Sequence, residues 1–313
     1  MIAYFRLLRL PNVFSAIADI LAGYFLATTA AHTAIDWLVL ASLCAVSAAL
    51  YLAGMAFNDI ADRDEDARVR PTRPIPSGAV SLQGAVMCAG GLMLAGIQIA
   101  AWTGRTTLIV AAVLCAAILA YDFVCKGRTF AGPLALGVCR FANVLLGMSA
   151  AYNAPDTLDA LRSAPLWGMP WLPALASGLY GAGVTAFSAQ EEEGKKRGAM
   201  WLGWLFTAAG LIAAGAVYFV APMTGSLAAH WIGFGMLAGL FLKLMYRTVA
   251  LMRSGSTDAA RALVLEGVKG YCPLDAGMLL LFGGFDLILP ALAALLLIFP
   301  GGWLRKWLAQ REA

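Results

Sequence analysis

The chain has 313 residues, of which 61% are apolar and 13% charged, with a mean hydropathy of +0.77. A soluble domain is about 45–50% apolar, so the composition excludes one and implies an integral membrane protein. The net charge of +4 is concentrated on one side of the expected bilayer and reports topology, with no nucleic-acid partner.

Segments able to cross about 30 Å of hydrocarbon at about 1.5 Å per residue fall approximately at 12–30, 37–57, 82–103, 106–124, 131–151, 171–187, 200–221, 228–250 and 272–299. The predicted fold is all-α, a bundle of nine transmembrane helices forming a single domain over residues 1–313. With the N-terminus in the cytoplasm, 16 of the 22 Lys and Arg residues fall inside. Five fall outside, namely Arg105, Arg162, Arg305, Lys306 and Arg311, and Arg140 lies within a span. That bias obeys the positive-inside rule. Arg6 and Arg9 precede a stretch long enough to span and without a clear small-residue cleavage site, so the first helix is expected to remain as an anchor. The six cysteines lack metal-type spacing and read as small packing residues.

In chain order, Arg9-Leu10-Pro11-Asn12 opens the first helix, and Asn12 either caps it or faces the interior. The second helix ends in Asn58-Asp59-Ile60-Ala61-Asp62-Arg63-Asp64-Glu65-Asp66, which holds five of the 18 acidic residues. On a continuing helix Asn58, Asp62 and Asp66 stand at i, i+4 and i+8, with Asp59 one step round. Such a carboxylate face repels itself unless a cation lies on it, and oxygen donors alone suit Mg²⁺. The competing reading is a solvated acidic helix end. Three prolines between Arg70 and Gly78 then forbid a helix and hold Arg70 and Arg73 on a stiff loop. Those arginines are either counter-ions of the carboxylates or ligands for a diphosphate.

Tyr121 and Lys126 lie in a short connection on the same membrane face, where anchoring and phosphate binding explain them equally. Arg140 is about ten residues into the fifth span, where a guanidinium costs roughly 2.5–3.5 kcal/mol. It should face the interior with a partner, and Asn143 at i+3 shares its side. The run Ser188 to Arg197 is either a helix end with i, i+4 ion pairs or a second metal or phosphate site. Gly181, Thr185, Ser188 and Glu192 would line one inward stripe. Residues 251–271 form a polar cap or a loop. Asp275 and Asp286 enter the last span, where an ionisable group is a functional candidate, and Gly283-Gly284 suggests a bend.

Asn58-Asp59-x-x-Asp62-x-x-x-Asp66 after a second transmembrane helix, followed by the Arg70 to Gly78 loop, resembles the first aspartate-rich motif of the UbiA superfamily of intramembrane prenyltransferases. The resemblance covers nearly the whole chain. It implies a cavity open to the cytoplasm, within the inner (cytoplasmic) membrane, that holds an isoprenoid diphosphate (farnesyl, geranylgeranyl or longer) on Mg²⁺. The tail would lie in a tunnel open to the lipid bilayer. By that resemblance Asn58, Asp59, Asp62 and Asp66 hold metal, and Arg70, Arg73, Lys126 and Arg140 hold the diphosphate, with Tyr121, Asn143 and Asn12 beside it. Asp62, Asp66 and Arg140 would be the catalytic set.

The second motif departs from the family pattern. Aspartates are expected on the stripe that here reads Gly181, Ser188 and Glu192, so only Ser188 and Glu192 remain as possible ligands. Tyr180 and the run from Thr185 to Glu193 are similar to the divergent EboC-like branch, which implies a hydroxylated acceptor such as a cyclitol. Transfer of the prenyl group to a small polar or aromatic acceptor is the leading expectation. Cyclisation without an acceptor, and a carrier that has lost the chemistry, are the alternatives.

Overall fold

The computed structural model describes residues 2–152, 171–189, 197–221 and 226–310, and among these it is helical with no strand. A short α1, Ile2–Leu7, and a 3-10 turn, Leu10–Asn12, precede α2, Val13–Ala30. Helix α3 runs over Trp37–Ala61, α4 over Arg63–Val69, α5 over Leu82–Thr103, α6 over Arg105–Ala120 and α7 over Ala131–Met148. Then come α8, Trp171–Ser188, α9, Arg197–Val220, α10, Leu227–Ser254, and α11, Thr257–Lys269. The last three are α12, Tyr271–Gly283, α13, Ile288–Leu296, and α14, Ile298–Gln310. Side-chain caps start three of them: Asp36 accepts from Leu38 and Val39, Ser81 from Gly84, and Ser256 from Ala259.

Among the described residues, eight segments are long and apolar enough to cross a membrane. The stretch expected as a further span, 171–187, does form α8, but Ser177, Gly178, Tyr180, Gly181, Gly183 and Thr185 dilute its apolar content, and it falls outside those eight. It is buried between α7 and α9 instead. Helix α2 is the centre of the bundle. Its span is 72% buried, against 22–56% for the others, and it packs on α3, α7 and α12. Close approach to α7 depends on two glycines that face backbone: a Cβ on Gly23 would lie 2.3 Å from the Val144 oxygen, and one on Gly147 would lie 2.7 Å from the Ile20 oxygen.

The last apolar stretch is broken where a bend was expected. Gly284, at φ 60°, ends α12, and a 3-10 turn over Gly284–Leu287 leads into α13. Helices α13 and α14 then run back along α2 to the Leu10–Asn12 turn. This corrects the placing of Arg305 outside: its Nη2 donates to Asn12 Oδ1 at 2.9 Å, at the same end of the bundle as Arg9. Lys306, one residue on, moves with it. The polar stretch 251–271, open between cap and loop in the sequence, is largely the helix α11, and all six cysteines are free thiols.

Candidate active site

Helix α3 delivers the acidic face to one end of the bundle. It closes at Asp62, whose N–H donates to the Asn58 oxygen at 3.1 Å, and α4 follows with the Asp66 N–H on the Asp62 oxygen at 2.8 Å. The near-helical path keeps the carboxylates on one side. Arg73 demonstrates this, since its Nη1 lies 2.8 Å from Asp59 Oδ1 and 3.0 Å from Asp66 Oδ2. Arg9 Nη2 donates to the same Asp59 oxygen at 2.7 Å and to Asn58 Oδ1 at 3.1 Å. Lys126 Nζ donates to Asp62 Oδ2, and Arg70 stands 3.8 Å from Asp66. Asn58, Asp59 and Asp66 are 6%, 4% and 2% exposed, so the face is not a solvated helix end.

Two local distortions aim the cations. Arg9 sits in the left-handed region at φ 46° and ψ 44°, a conformation a non-glycine residue holds at a cost and that marks functional positions. Burial lowers the pKa of its guanidinium, but the Asp59 carboxylate outweighs this and raises it above the ordinary value, so Arg9 is a fixed cation. Tyr121–Cys125 forms a π-helical turn. The turn brings Asp122 to Asn58 Nδ2 at 3.2 Å, places Tyr121 near Asp62 and Arg9, and presents Lys126 to Asp62.

A second polar centre lies deeper. Arg140 meets α2 rather than the carboxylates of the motif: Nη1 lies 3.0 Å from Asp19 Oδ2, and Nη2 lies 3.0 Å from Ser15 Oγ. Its guanidinium carbon stands 3.9 Å from the centre of the Tyr271 ring and 5.7 Å from that of Tyr51. Asn143 donates to Asp19 at 3.1 Å and accepts from Ser47 at 2.7 Å, and Ser177 donates to Asp19 Oδ1 at 3.1 Å. Asp275 is fully buried beside the Asp19 carboxyl and Arg140, and among the described residues no N–H or hydroxyl donor reaches its oxygens. Ser47, Tyr51, Asn58 and Asp62 share one face of α3, a polar stripe about 22 Å long that joins the two centres.

Residues 17–270 match the model of the UbiA prenyltransferase family. The chain belongs to that family. A digeranylgeranylglyceryl phosphate synthase of Metallosphaera sedula is 29% identical over 172 residues, 55% of this chain and 56% of that protein. The chain thus spans about half the length of this curated relative. The apo structure of a UbiA homolog from Aeropyrum pernix K1 matches with a TM-score of 0.66 at 20% identity, covering 85% of this chain and 96% of that one. The structure of a UbiA homolog from Archaeoglobus fulgidus bound to GPP and Mg²⁺ matches at 0.61 and 13% identity, covering 86% and 99%. At such identities the likeness shows a common fold.

In this UbiA-family chain the position of Gly181 has little room for a side chain. A Cβ on Gly181 would lie 2.6 Å from Tyr271 Oη and 3.0 Å from Arg140 Cγ, so the buried Arg140 centre occupies the space an aspartate would need. Ser188 turns back on its own helix, its Oγ donating to the Thr185 oxygen at 2.7 Å, while Glu192 lies outside the described residues. Asn12 does not cap α2, because its side-chain oxygen accepts from Arg305. Asn58, Asp59, Asp62 and Asp66 offer oxygen donors only, which fits Mg²⁺. Each meets a cation or amide, and among the described residues no three acidic, histidine or cysteine side chains form a ready-made metal cage.

Arg9, Asp19 and Asp122 were missed in the sequence. For Asp19 a signal existed: it is an ionisable residue inside the first span, subject to the same rule that singled out Arg140. Arg9 read only as a topological charge, because nothing local ties it to a motif 50 residues away.

Proposed function

We propose that this UbiA-family chain transfers a prenyl group from an isoprenoid diphosphate to a hydroxyl of a small acceptor, at the Asn58–Asp66 face within the membrane. The observation that carries the reading is the buried carboxylate face set against Arg9, Arg73 and Lys126 at one end of an apolar bundle. Breaking the allylic C–O bond leaves the electron pair on the diphosphate. Cations fixed beforehand stabilise that developing charge more than the ground state. Arg9, Arg70, Arg73 and Lys126 would hold phosphate oxygens, with Tyr121 at the rim. Asn58, Asp59, Asp62 and Asp66 would hold Mg²⁺, which supplies charge neutralisation of the leaving diphosphate. The UbiA homolog bound to GPP and Mg²⁺ supports that pairing.

Arg140 and Asn143 are positioning residues that fix α7 to α2 below the reacting end, and the apolar walls exclude water from the allylic cation. The relative's name favours a glyceryl phosphate-type acceptor over an aromatic or cyclitol one. Counting α8 as a ninth span and placing the motif's end in the cytoplasm, beside a cell membrane, agrees with the Lys and Arg distribution.

The test is pyrophosphate release by purified chain from geranylgeranyl diphosphate, with and without geranylgeranylglyceryl phosphate, in Mg²⁺ and in excess chelator. The expected result is release that needs both acceptor and Mg²⁺ and is lost in Asp62→Asn and Asp66→Asn. Release without acceptor, together with a cyclic hydrocarbon, would replace transfer by cyclisation. No release under any condition, with diphosphate binding unchanged in both variants, would end the catalytic reading.

A further inference from the structure

Around α11 and α14 the charges do not balance. Glu266 meets three cations, Lys243 Nζ at 2.6 Å, Arg247 Nη2 at 3.5 Å and Lys269 Nζ at 3.3 Å. Arg305 adds a fourth cation within the field of the same carboxylate, and its hydrogen bond goes to the neutral Asn12 oxygen. Arg305 and Lys269 both line a shallow cleft between the start of α2, the α11–α12 junction and α14. Asn12, Ser15, Phe14 and Gly301 complete the lining that matters. The cleft exists because α14 comes against the chain at Pro11, where a Cβ on Gly301 would lie 2.5 Å from the Pro11 oxygen.

Arg305 is half-buried in this cleft, and the carboxylate whose field reaches it, Glu266, is already shared by three other cations, so the cluster keeps an excess of positive charge that an anion would balance. Arginine's planar fork suits phosphate, and the Lys269 ammonium and the Asn12 side-chain amide N–H lie in the same cleft. The residues that line the cleft are not those of the acidic face: Arg9 turns to Asp59, and Asn12 turns to Arg305. It also rests on α14, which lies beyond residue 270, where the family match ends.

We propose that this cleft binds a phosphate group, carried either by the phosphorylated acceptor or by an anionic lipid headgroup. The acceptor source rests on the prenyl-transfer reading; the phosphate chemistry does not.

The test uses the full chain in nanodiscs of phosphatidylcholine alone, with no prenyl diphosphate. Glycerol 1-phosphate and inorganic phosphate are titrated by calorimetry, and in a second arm the retention of added phosphatidylglycerol is read by native mass spectrometry. Arg305→Gln is expected to weaken binding about tenfold to a hundredfold, the loss of a charged hydrogen bond. Lys306→Gln, an exposed neighbour outside the cleft, is expected to change nothing. An effect in the calorimetric arm assigns the acceptor's phosphate, and one in the lipid arm assigns a headgroup; both support the site. Equal behaviour of wild type, Arg305→Gln and Lys306→Gln, or equal weakening in both variants, overturns it. Lys269→Gln is read in the same way should Arg305→Gln fail to fold. Binding without transfer would sink the prenyl-transfer reading and leave the cleft standing, while transfer with Arg305-independent binding would do the reverse.

Discussion

Arg73 holds two buried carboxylates with one nitrogen, so its removal leaves Asp59 and Asp66 facing each other with less compensation. Arg73→Met is expected to lower pyrophosphate release about 100-fold, the scale of losing one preorganised charge partner. Initial rates at saturating Mg²⁺ check this, and a change under about threefold would remove Arg73 from the site. Deeper in the bundle, Arg140→Met leaves Asp19 buried and unpaired, which costs about 3–5 kcal/mol. Adding Asp19→Asn should recover most of that loss, because the double variant no longer buries the Asp19 charge without its cation. Denaturant unfolding in detergent measures both. The acidic face was legible in the sequence because its members lie within nine consecutive residues. The pairing of Arg140 with Asp19 was not, since its partners are 121 residues apart and only the packing of α2 on α7 brings them together.

That packing depends on small residues, so the element scale offers its own test. A side chain at Gly147 meets the oxygen and Cα of Ile20 at 2.7 and 3.0 Å, and backbone cannot move aside as a flexible side chain would. Gly147→Leu is therefore expected to destabilise by more than the usual 1–3 kcal/mol of overpacking. Gly90→Leu on α5, with nothing within 4 Å, should leave the unfolding midpoint nearly unchanged. Equal effects of the two substitutions would show that the α2–α7 contact is not tight. Helix positions were readable because hydrophobic runs of membrane length have few other solutions. Where the sequence fell short, at α14, the signal was a turn at Gly284 that reverses the chain; the apolar content of residues 272–299 shows a bend there but not its direction.

The direction of that turn decides how charge is distributed over the whole molecule. Carrying Arg305 and Lys306 to the motif's end raises its share of Lys and Arg from 16 to 18 of 22, which strengthens the same orientation that the positive-inside rule implied. It also gathers the acidic face and the Arg305 cleft at one end. Both would then draw their ligands from one aqueous compartment. Single cysteines in a cysteine-free chain test this in intact cells with a membrane-impermeant maleimide. Thr33→Cys, exposed in the connection between α2 and α3, should label from outside. Arg63→Cys and Lys306→Cys, exposed at the motif's end, should label only after the membrane is permeabilised. Labelling of Lys306→Cys together with Thr33→Cys, while Arg63→Cys stays protected, would place α14 at the opposite end and separate the cleft from the acidic face. Labelling of Arg63→Cys and Lys306→Cys together from outside would keep the two sites in one compartment but reverse the orientation of the bundle. The pattern over three positions thus separates the path of the last helices from the direction in which the whole chain is inserted.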